Sequence, residues 1–118
     1  MTEPVPLAER ACVPCRSGAP AVDGEERARW MAELPEWSLR EVEGVPRLER
    51  VFRFPDFRRA LSFTNAVGAV AEEADHHPAL LTEWGRVTVG WWTHSIGGLH
   101  ANDFVMAART DRVFGTCR

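Results

Sequence analysis

The stretch that decides the fold is PDFRRALSFTNAVGAVAEEAD, which runs from Pro55 to Asp75. Small and apolar residues recur in it every three or four positions, which is the spacing of one side of an α-helix. Asp56 is a suitable N-cap for this helix. Phe63 and Val70 widen the apolar side, which suits a helix that packs on a sheet and also on a partner chain. The residues at helical spacing are Phe57, Ala60, Leu61, Thr64, Val67, Ala71 and Ala74.

Two strands and a shorter helix precede this long helix. Residues 37–42 and 46–54 flank a turn that contains Gly44, and both are predicted to be antiparallel strands. Before them, Asp23 is a good N-cap for a helix that Pro35 ends.

A second hairpin and a third helix follow the long helix. Residues 79–84 and 86–94 alternate in character around Gly85, which predicts two more antiparallel strands. A final helix is expected from about His100 to Phe114. The order α-β-β-α-β-β-α predicts an α+β fold, in which three helices pack on one face of a four-stranded antiparallel sheet.

Length and composition limit the class of protein. A chain of 118 residues that is 45% hydrophobic suffices for one domain, predicted over residues 23–118, after an extended, proline-rich arm at residues 1–22. The net charge is −3 and the arginines are scattered, so we expect no nucleic-acid partner. No apolar run approaches the ~20 residues of a membrane span, and the N-terminus lacks the pattern of a signal peptide. We therefore expect no membrane partner and a cytoplasmic location.

The cysteine pair in CVPC lies within the predicted arm, at Cys12 and Cys15, far from Cys117. A lone CxxC suggests a redox pair or half of a zinc site, but no second CxxC follows and no strand and helix surround it. A structural disulfide is not expected from an odd set of three cysteines, and most such pairs bind nothing.

The four histidines cluster between positions 76 and 100. His76 and His77 are predicted in the turn that leaves the long helix, where Pro78 favours an extended conformation for His77. His94 is expected at the end of the last strand, so the loops at that end of the sheet must converge to bring it near His77. Glu72 lies four residues before His76, on the same helical face if the helix continues.

Histidine, with a reference pKa of ~6.5, is the natural proton donor and acceptor for such a site. The alternatives are a zinc site formed by His76, His77 and His94, although the HxH and HxxxH spacings are absent, and a purely structural role for His100 as a helix N-cap. The Trp91–Trp92 pair fits packing, with a core on one face of the strand and a subunit contact on the other.

One motif joins these residues, and it resembles a known family. The order and spacing of Glu72, His76-His77-Pro78, Trp84, His94 and Asp103 resemble the signature of the pterin-4a-carbinolamine dehydratases. The segments CVPC, ELPEW, RVFRFPDFRRALSF and THSIGGLHANDF are similar to bacterial members, so the resemblance covers nearly the whole chain. The chain departs from the animal members at Leu80, where they have an aromatic residue, and at Asn102, where they have an arginine.

The resemblance implies a dehydratase that converts 4a-hydroxytetrahydrobiopterin to quinonoid dihydropterin during recycling of the tetrahydropterin cofactor, with no metal or redox cofactor. It implies catalytic roles for His76 and His94 as acids near the leaving hydroxyl, and for His77 in proton transfer. Pterin-binding or orienting roles are implied for Glu72, Asp75, Pro78 and Asp103.

The resemblance also bears on partners and on the alternative functions. Family members form dimers and tetramers, and a wide apolar face on the long helix points the same way, so we expect a homodimer or homotetramer. Animal members also act as dimerisation cofactors of a transcription factor, so a non-catalytic binding module of the same fold is the main alternative, and a zinc-binding protein is the third.

Overall fold

The computed structural model describes residues 6–12 and 23–116 of the chain. Its helices and strands follow the order predicted from the sequence, with a short 3₁₀ turn at each of two further places. The α+β fold with one four-stranded antiparallel sheet is therefore confirmed. The elements are the 3₁₀ turn Leu7–Glu9, α1 (Gly24–Met31), β1 (Ser38–Val42), β2 (Val45–Arg53), α2 (Phe57–Ala74), β3 (Ala79–Glu83), β4 (Arg86–Trp91), the 3₁₀ turn His94–Ile96 and α3 (Ala101–Thr116).

Helix α2 forms where the apolar spacing predicted it. The Asp56 carboxylate accepts a hydrogen bond from the backbone N–H of Arg59 at 2.8 Å, so the predicted N-cap is confirmed. The helix ends at Asp75, which adopts the left-handed conformation (φ 52°, ψ 42°) and returns its N–H to carbonyls of the last turn. Four side chains of α2 are buried against the sheet: Ala60, Phe63, Val67 and Ala71.

The sheet has the strand order β1-β2-β4-β3, and all neighbours are antiparallel. The β1–β2 turn places Glu43 and Gly44 at φ 51° and 81°, the positive values that a tight two-residue hairpin turn requires. Gly85 closes the second hairpin at φ 74°, and a Cβ atom there would lie 3.2 Å from the Phe54 carbonyl oxygen. Glycine is therefore required at this turn by both conformation and space.

One face of the sheet carries the core and the other faces outward. The inner face contributes Leu48, Phe52, Val87, Val89 and Trp91, all of them at most 1% exposed. The outer face has exposed apolar side chains instead, because Val51 and Leu81 are 43% and 57% exposed. All three helices lie on the inner side, as the sequence predicted.

Strand β4 is shorter than predicted, since it ends at Trp91 and not at His94. Beyond it, Thr93 donates its N–H to the Gly98 carbonyl at 2.8 Å and accepts from the Gly98 N–H at 3.3 Å. The chain therefore folds back on itself through the turn His94–Ile96 and stops extending the ladder with β2. The prediction that His94 ends the last strand is wrong for this reason.

The described part of the N-terminal arm contributes to the core, which the sequence did not suggest. Leu7 is 1% exposed, and Arg109 of α3 donates to the carbonyl oxygens of Ala8 and Arg10 at 3.2 and 2.6 Å. Residues 1–5 and 13–22, with Cys15, lie outside the described residues, as do residues 117–118. The boundary between arm and domain at residue 22 stays a prediction.

Among the described helices, none combines the length and the hydropathy needed to cross a membrane.

Candidate active site

A single buried carboxylate organises the histidine cluster. Asp103, in the first turn of α3, has a side chain that is 0% exposed. Its Oδ2 accepts from the hydroxyl of Thr93 at 2.8 Å and from the backbone N–H of His100 at 2.9 Å. Its Oδ1 lies 2.6 Å from Nε2 of His76. Asp103 therefore joins the segment after α2, the segment after β4 and the start of α3.

The start of α3 explains why the sequence brings Asp103 to this position. His100 precedes the first helical residue, and its Nδ1 accepts from the Asn102 N–H at 3.1 Å. Asp103 is the third helical residue and bonds back to the His100 N–H, which is the pattern of a capping box. The structure thus places His100 at the N-cap of α3, the structural role that the sequence suggested for it.

His76 is the most enclosed of the three candidate catalytic histidines. Its side chain is 11% exposed, and its ring stacks on Trp91 with centroids 5.6 Å apart and planes at 12°. The Trp91 indole in turn donates to Oγ1 of Thr110 at 3.1 Å. Because a carboxylate only accepts, Nε2–H of His76 is the donor to Asp103. The ring is thereby held at one nitrogen and across one face.

His77 pairs with Glu72, which corrects a prediction. The two side chains approach to 2.5 Å between Nε2 and Oε1, and they are 53% and 78% exposed respectively. The sequence placed Glu72 beside His76 on the assumption that the helix continues. Helix α2 stops at Ala74, and the left-handed Asp75 redirects the chain, so His77 meets Glu72 and His76 points to Asp103.

His94 is exposed and opens the turn that follows β4. Its ring contacts Trp92, with centroids 4.6 Å apart and planes inclined by 37°. The guanidinium carbon of Arg47 lies 3.9 Å from the centroid of the same indole. Within residues 6–12 and 23–116, no carboxylate forms an ion pair with His94, in contrast to His76 and His77.

The segments that carry the three histidines meet at one end of the sheet. Asp103 binds both Thr93 and His76, and His94 and His77 are the residues that follow them in these two segments. The convergence of loops that the sequence required is present. Asp75 caps α2 and Pro78 leads into β3, while their predicted contacts with a ligand stay predictions.

Several residues of this cluster were missed by the sequence reasoning. Thr93 was not singled out, although the alternation of β4 puts it on the same side as Trp91, and it is 3% exposed. Trp91 was assigned to packing, and its stacking on His76 adds a second role. Arg47 gave no signal at all, because its contact with Trp92 crosses from one strand to another.

The part of the chain that the structure describes contains no preformed metal site. There, no three His, Cys, Asp or Glu side chains lie close enough together to hold an ion. Cys12 is half-buried, and burial raises the pKa of its thiol, while the Arg109 charge acts in the opposite direction. Cys15, the other cysteine of the CVPC pair, lies outside the described residues.

Fold and site together define an α+β protein with a histidine–carboxylate cluster at one end of its sheet. Residues 20–113 match the family model described as pterin 4 alpha carbinolamine dehydratase. The chain belongs to this family, so the resemblance stated from the sequence is confirmed.

Relatives and solved structures agree with this assignment. A protein of Microcystis aeruginosa named "Putative pterin-4-alpha-carbinolamine dehydratase" is 54% identical over 97% of this chain and 96% of its own length. A protein of the same name from Chlorobium limicola is 58% identical over 88% of this chain and 92% of its own length.

Two solved structures are similar. The transcriptional coactivator/pterin dehydratase of Brucella melitensis has a TM-score of 0.70 at 30% identity, covering 80% of this chain and 98% of its own. A pterin dehydratase-like protein, identified as a RuBisCO assembly factor in the alpha-carboxysome, has a TM-score of 0.56 at 26% identity. It covers 66% of this chain and 90% of its own.

Proposed function

We propose that the protein is a 4a-hydroxytetrahydrobiopterin dehydratase that removes water from the carbinolamine to give quinonoid dihydropterin. One observation carries the proposal: Asp103 binds Thr93 and His76 together, and this joins the two chain segments that also carry His94 and His77. Family membership supports the reaction and the substrate class.

The proposed reaction needs one proton donor and one proton acceptor. The bond between carbon 4a and its hydroxyl oxygen breaks, and the oxygen leaves as water after it takes a proton. Nitrogen N5 loses its proton, and its electron pair forms the new double bond to carbon 4a. The protons balance, so two imidazoles suffice, and positioned acid and base groups typically supply ~10²- to 10⁴-fold in rate.

We assign the proton transfers to the two exposed histidines. The resemblance implied that His76 and His94 both act as acids, but His76 is enclosed between Trp91 and Asp103. In the proposal His94 protonates the leaving hydroxyl and His77, oriented by Glu72, accepts the proton from N5. His76 is then a positioning residue that keeps His77 at the mouth of the site.

The proposal is tested with a synthetic 4a-hydroxytetrahydropterin and the purified full-length chain after chelator treatment. The expected result is loss of the 4a-hydroxyl at a rate well above that of buffer. A rate equal to buffer would refute the enzyme and favour a non-catalytic binding module. If the chelator removes stoichiometric zinc and the activity is lost with it, and if the activity returns when zinc is restored, the cofactor-free mechanism is refuted and the zinc alternative is favoured.

We also propose that the protein is a homodimer or homotetramer. Apolar side chains are exposed on α2, where Phe57 and Leu61 are 45% and 43% exposed, and on the outer sheet face at Val51 and Leu81. Such surfaces mark interfaces in soluble proteins. Light scattering at micromolar concentration is expected to give two or four chain masses, and a single chain mass would refute this assembly. The cytoplasmic location stays a prediction from the sequence.

A further inference from the structure

We infer that Trp92 and Arg47 are positioning residues that together hold the exposed His94 ring in its working orientation. The inference rests on the proposed dehydratase function for its kinetic consequence. The contacts themselves are independent of that function. Trp92 and Arg47 belong to neither the sequence motif nor the family signature.

His94 differs from the other two histidines in the partner of its ring. His76 and His77 each have a carboxylate at hydrogen-bond distance from Nε2. His94 has none among the described residues, and the contact that its ring makes is with the Trp92 indole, at 4.6 Å between centroids. An exposed histidine without a hydrogen-bonded partner keeps its rotamer freedom unless packing restricts it. The indole is therefore what orients His94.

The Trp92 indole in turn contacts Arg47. Trp92 is half-buried on the outer side of the sheet, beyond the end of β4, where no strand pairing fixes it. The Arg47 guanidinium lies 3.9 Å from the centre of its ring, well within the distance of a cation–π contact. Register explains the encounter, because Leu48 pairs with Trp91 and so Arg47 and Trp92 are neighbours across β2 and β4.

Among the described residues, no ion pair of Arg47 competes with this contact. Its Nε is buried and has no hydrogen-bond partner in the described chain, and no carboxylate there forms a salt bridge with it. Arg40 on β1 and Arg50 on β2, by contrast, each bind a carboxylate. A guanidinium that packs on a ring in this way fixes the ring through both charge and stem.

A glycine lies beneath the contact between Arg47 and Trp92. Gly90 lies on the outer face of β4, and a Cβ built there would be 3.6 Å from Cδ of Arg47 and 3.8 Å from Cζ3 of Trp92. Both side chains thus pack against this glycine. Contacts therefore run from Arg47 on β2 to Trp92 and from Trp92 to His94 in the turn after β4.

The experiment follows the His94 ring directly by NMR, with its signals assigned by comparison with His94→Gln. An indole face near the imidazole shifts the ring protons upfield, so Trp92→Ala is expected to move them back and Trp92→Phe to restore part of the shift. Arg47→Met, which keeps the stem and removes the charge, is expected to give an intermediate shift. Arg53→Met is the matched control, because Arg53 is exposed on the same face of the same strand.

The rates of dehydration by the same variants test whether the orientation of the His94 ring affects catalysis. Trp92→Ala is expected to lower kcat about ten- to a hundredfold with little change in KM, the size of effect that misplacing one catalytic group produces. Arg47→Met is expected to lower kcat about two- to tenfold, in keeping with one cation–π contact. Arg53→Met is expected to have the kcat and KM of the wild type. Arg47→Met is expected to keep the melting temperature of the wild type.

Unchanged His94 signals in Trp92→Ala, or equal signals in Arg47→Met and Arg53→Met, would overturn the inference. Shifted signals with an unchanged kcat would overturn the positioning role. If Trp92→Ala fails to fold, Trp92→Phe and Arg47→Met still decide the matter. A wild type without dehydratase activity would refute the proposed function alone, and the chemical shifts would still report whether Arg47 and Trp92 hold the His94 ring.

Discussion

The site has two halves that differ in how they are held. His76 is 11% exposed, hydrogen-bonded to a fully buried Asp103 and stacked on a fully buried Trp91. His77 and His94 are exposed, and they contact an exposed Glu72 and a half-buried Trp92. The inner half is part of the core and the outer half is available to a ligand. Substitutions in the inner half should therefore destabilise the protein, and those in the outer half should change its activity.

The largest expected effect on stability is at Asp103. Removing its carboxylate in Asp103→Ala leaves His76, Thr93 and the His100 N–H without their common acceptor, and each buried donor left unsatisfied costs about 1–3 kcal/mol. Urea unfolding measures it. Asp103→Asn keeps the shape and one acceptor oxygen, so its loss should be smaller. Equal and small losses in both variants would break the distinction between the two halves.

A second, smaller effect is expected at Thr110, which supports the inner half from behind. Thr110→Val keeps the shape but leaves the Trp91 indole N–H without its acceptor, which costs about 1–3 kcal/mol for a buried donor. The control is Thr88→Val on the outer sheet face, expected within about 0.5 kcal/mol of wild type. A loss in the control as large as at Thr110 would contradict this reading.

Asp111 is intermediate in burial between the residues of the two halves, since its side chain is 28% exposed. Burial raises the pKa of its carboxyl above the ordinary 3.8, although hydrogen bonds from Trp37 and the Arg50 charge act in the opposite direction. The folded state thus holds this proton more tightly than the unfolded chain. The contribution of Asp111 to stability must then fall as pH rises from about 3.8 through the raised pKa.

The measurement for Asp111 is urea unfolding of wild type and Asp111→Asn at several values of pH. The free energy of unfolding of wild type minus that of the variant is expected to be largest in acid and to decline upward through this window. A difference that grows with rising pH would show that the ion pair with Arg50 outweighs burial.

The smallest effect on stability is expected in the outer half, at Glu72. Glu72→Gln should change the free energy of unfolding by no more than about 1 kcal/mol, because exposed ion pairs contribute little. It should nevertheless lower dehydration about tenfold, since His77 loses its orienting partner. Glu73→Gln, at the neighbouring exposed position, is the control and should leave both quantities unchanged. A stability loss at Glu72 as large as at Asp103 would remove the difference between the halves.

The sequence predicted the helices and strands well and the contacts between individual side chains poorly. Apolar spacing and the N-caps at Asp23 and Asp56 predicted the helices, because these signals are local. The pairing of Glu72 with His76 was wrong, since the left-handed Asp75 redirects the chain where α2 ends and Glu72 meets His77 instead.

Contacts across the sheet or between distant segments explain the rest. Arg47 reaches Trp92 only through the register of β2 with β4, and Leu7 enters the core only through its packing near α3. Neither follows from spacing along the chain. The histidines were singled out because imidazole is the usual proton donor and acceptor, whereas Thr93 and Trp91, which contact Asp103 and His76, resemble ordinary strand residues.

The most direct test compares His76→Ala, His77→Ala and His94→Ala for both melting temperature and the rate of dehydration of a synthetic 4a-hydroxytetrahydropterin. The account predicts that His77→Ala and His94→Ala each lose about 10²- to 10⁴-fold in rate, as expected for one acid or base, and keep the melting temperature of wild type. His76→Ala is predicted to lower the melting temperature by several degrees. Full activity in both His77→Ala and His94→Ala would contradict the central claim that these exposed histidines transfer the protons.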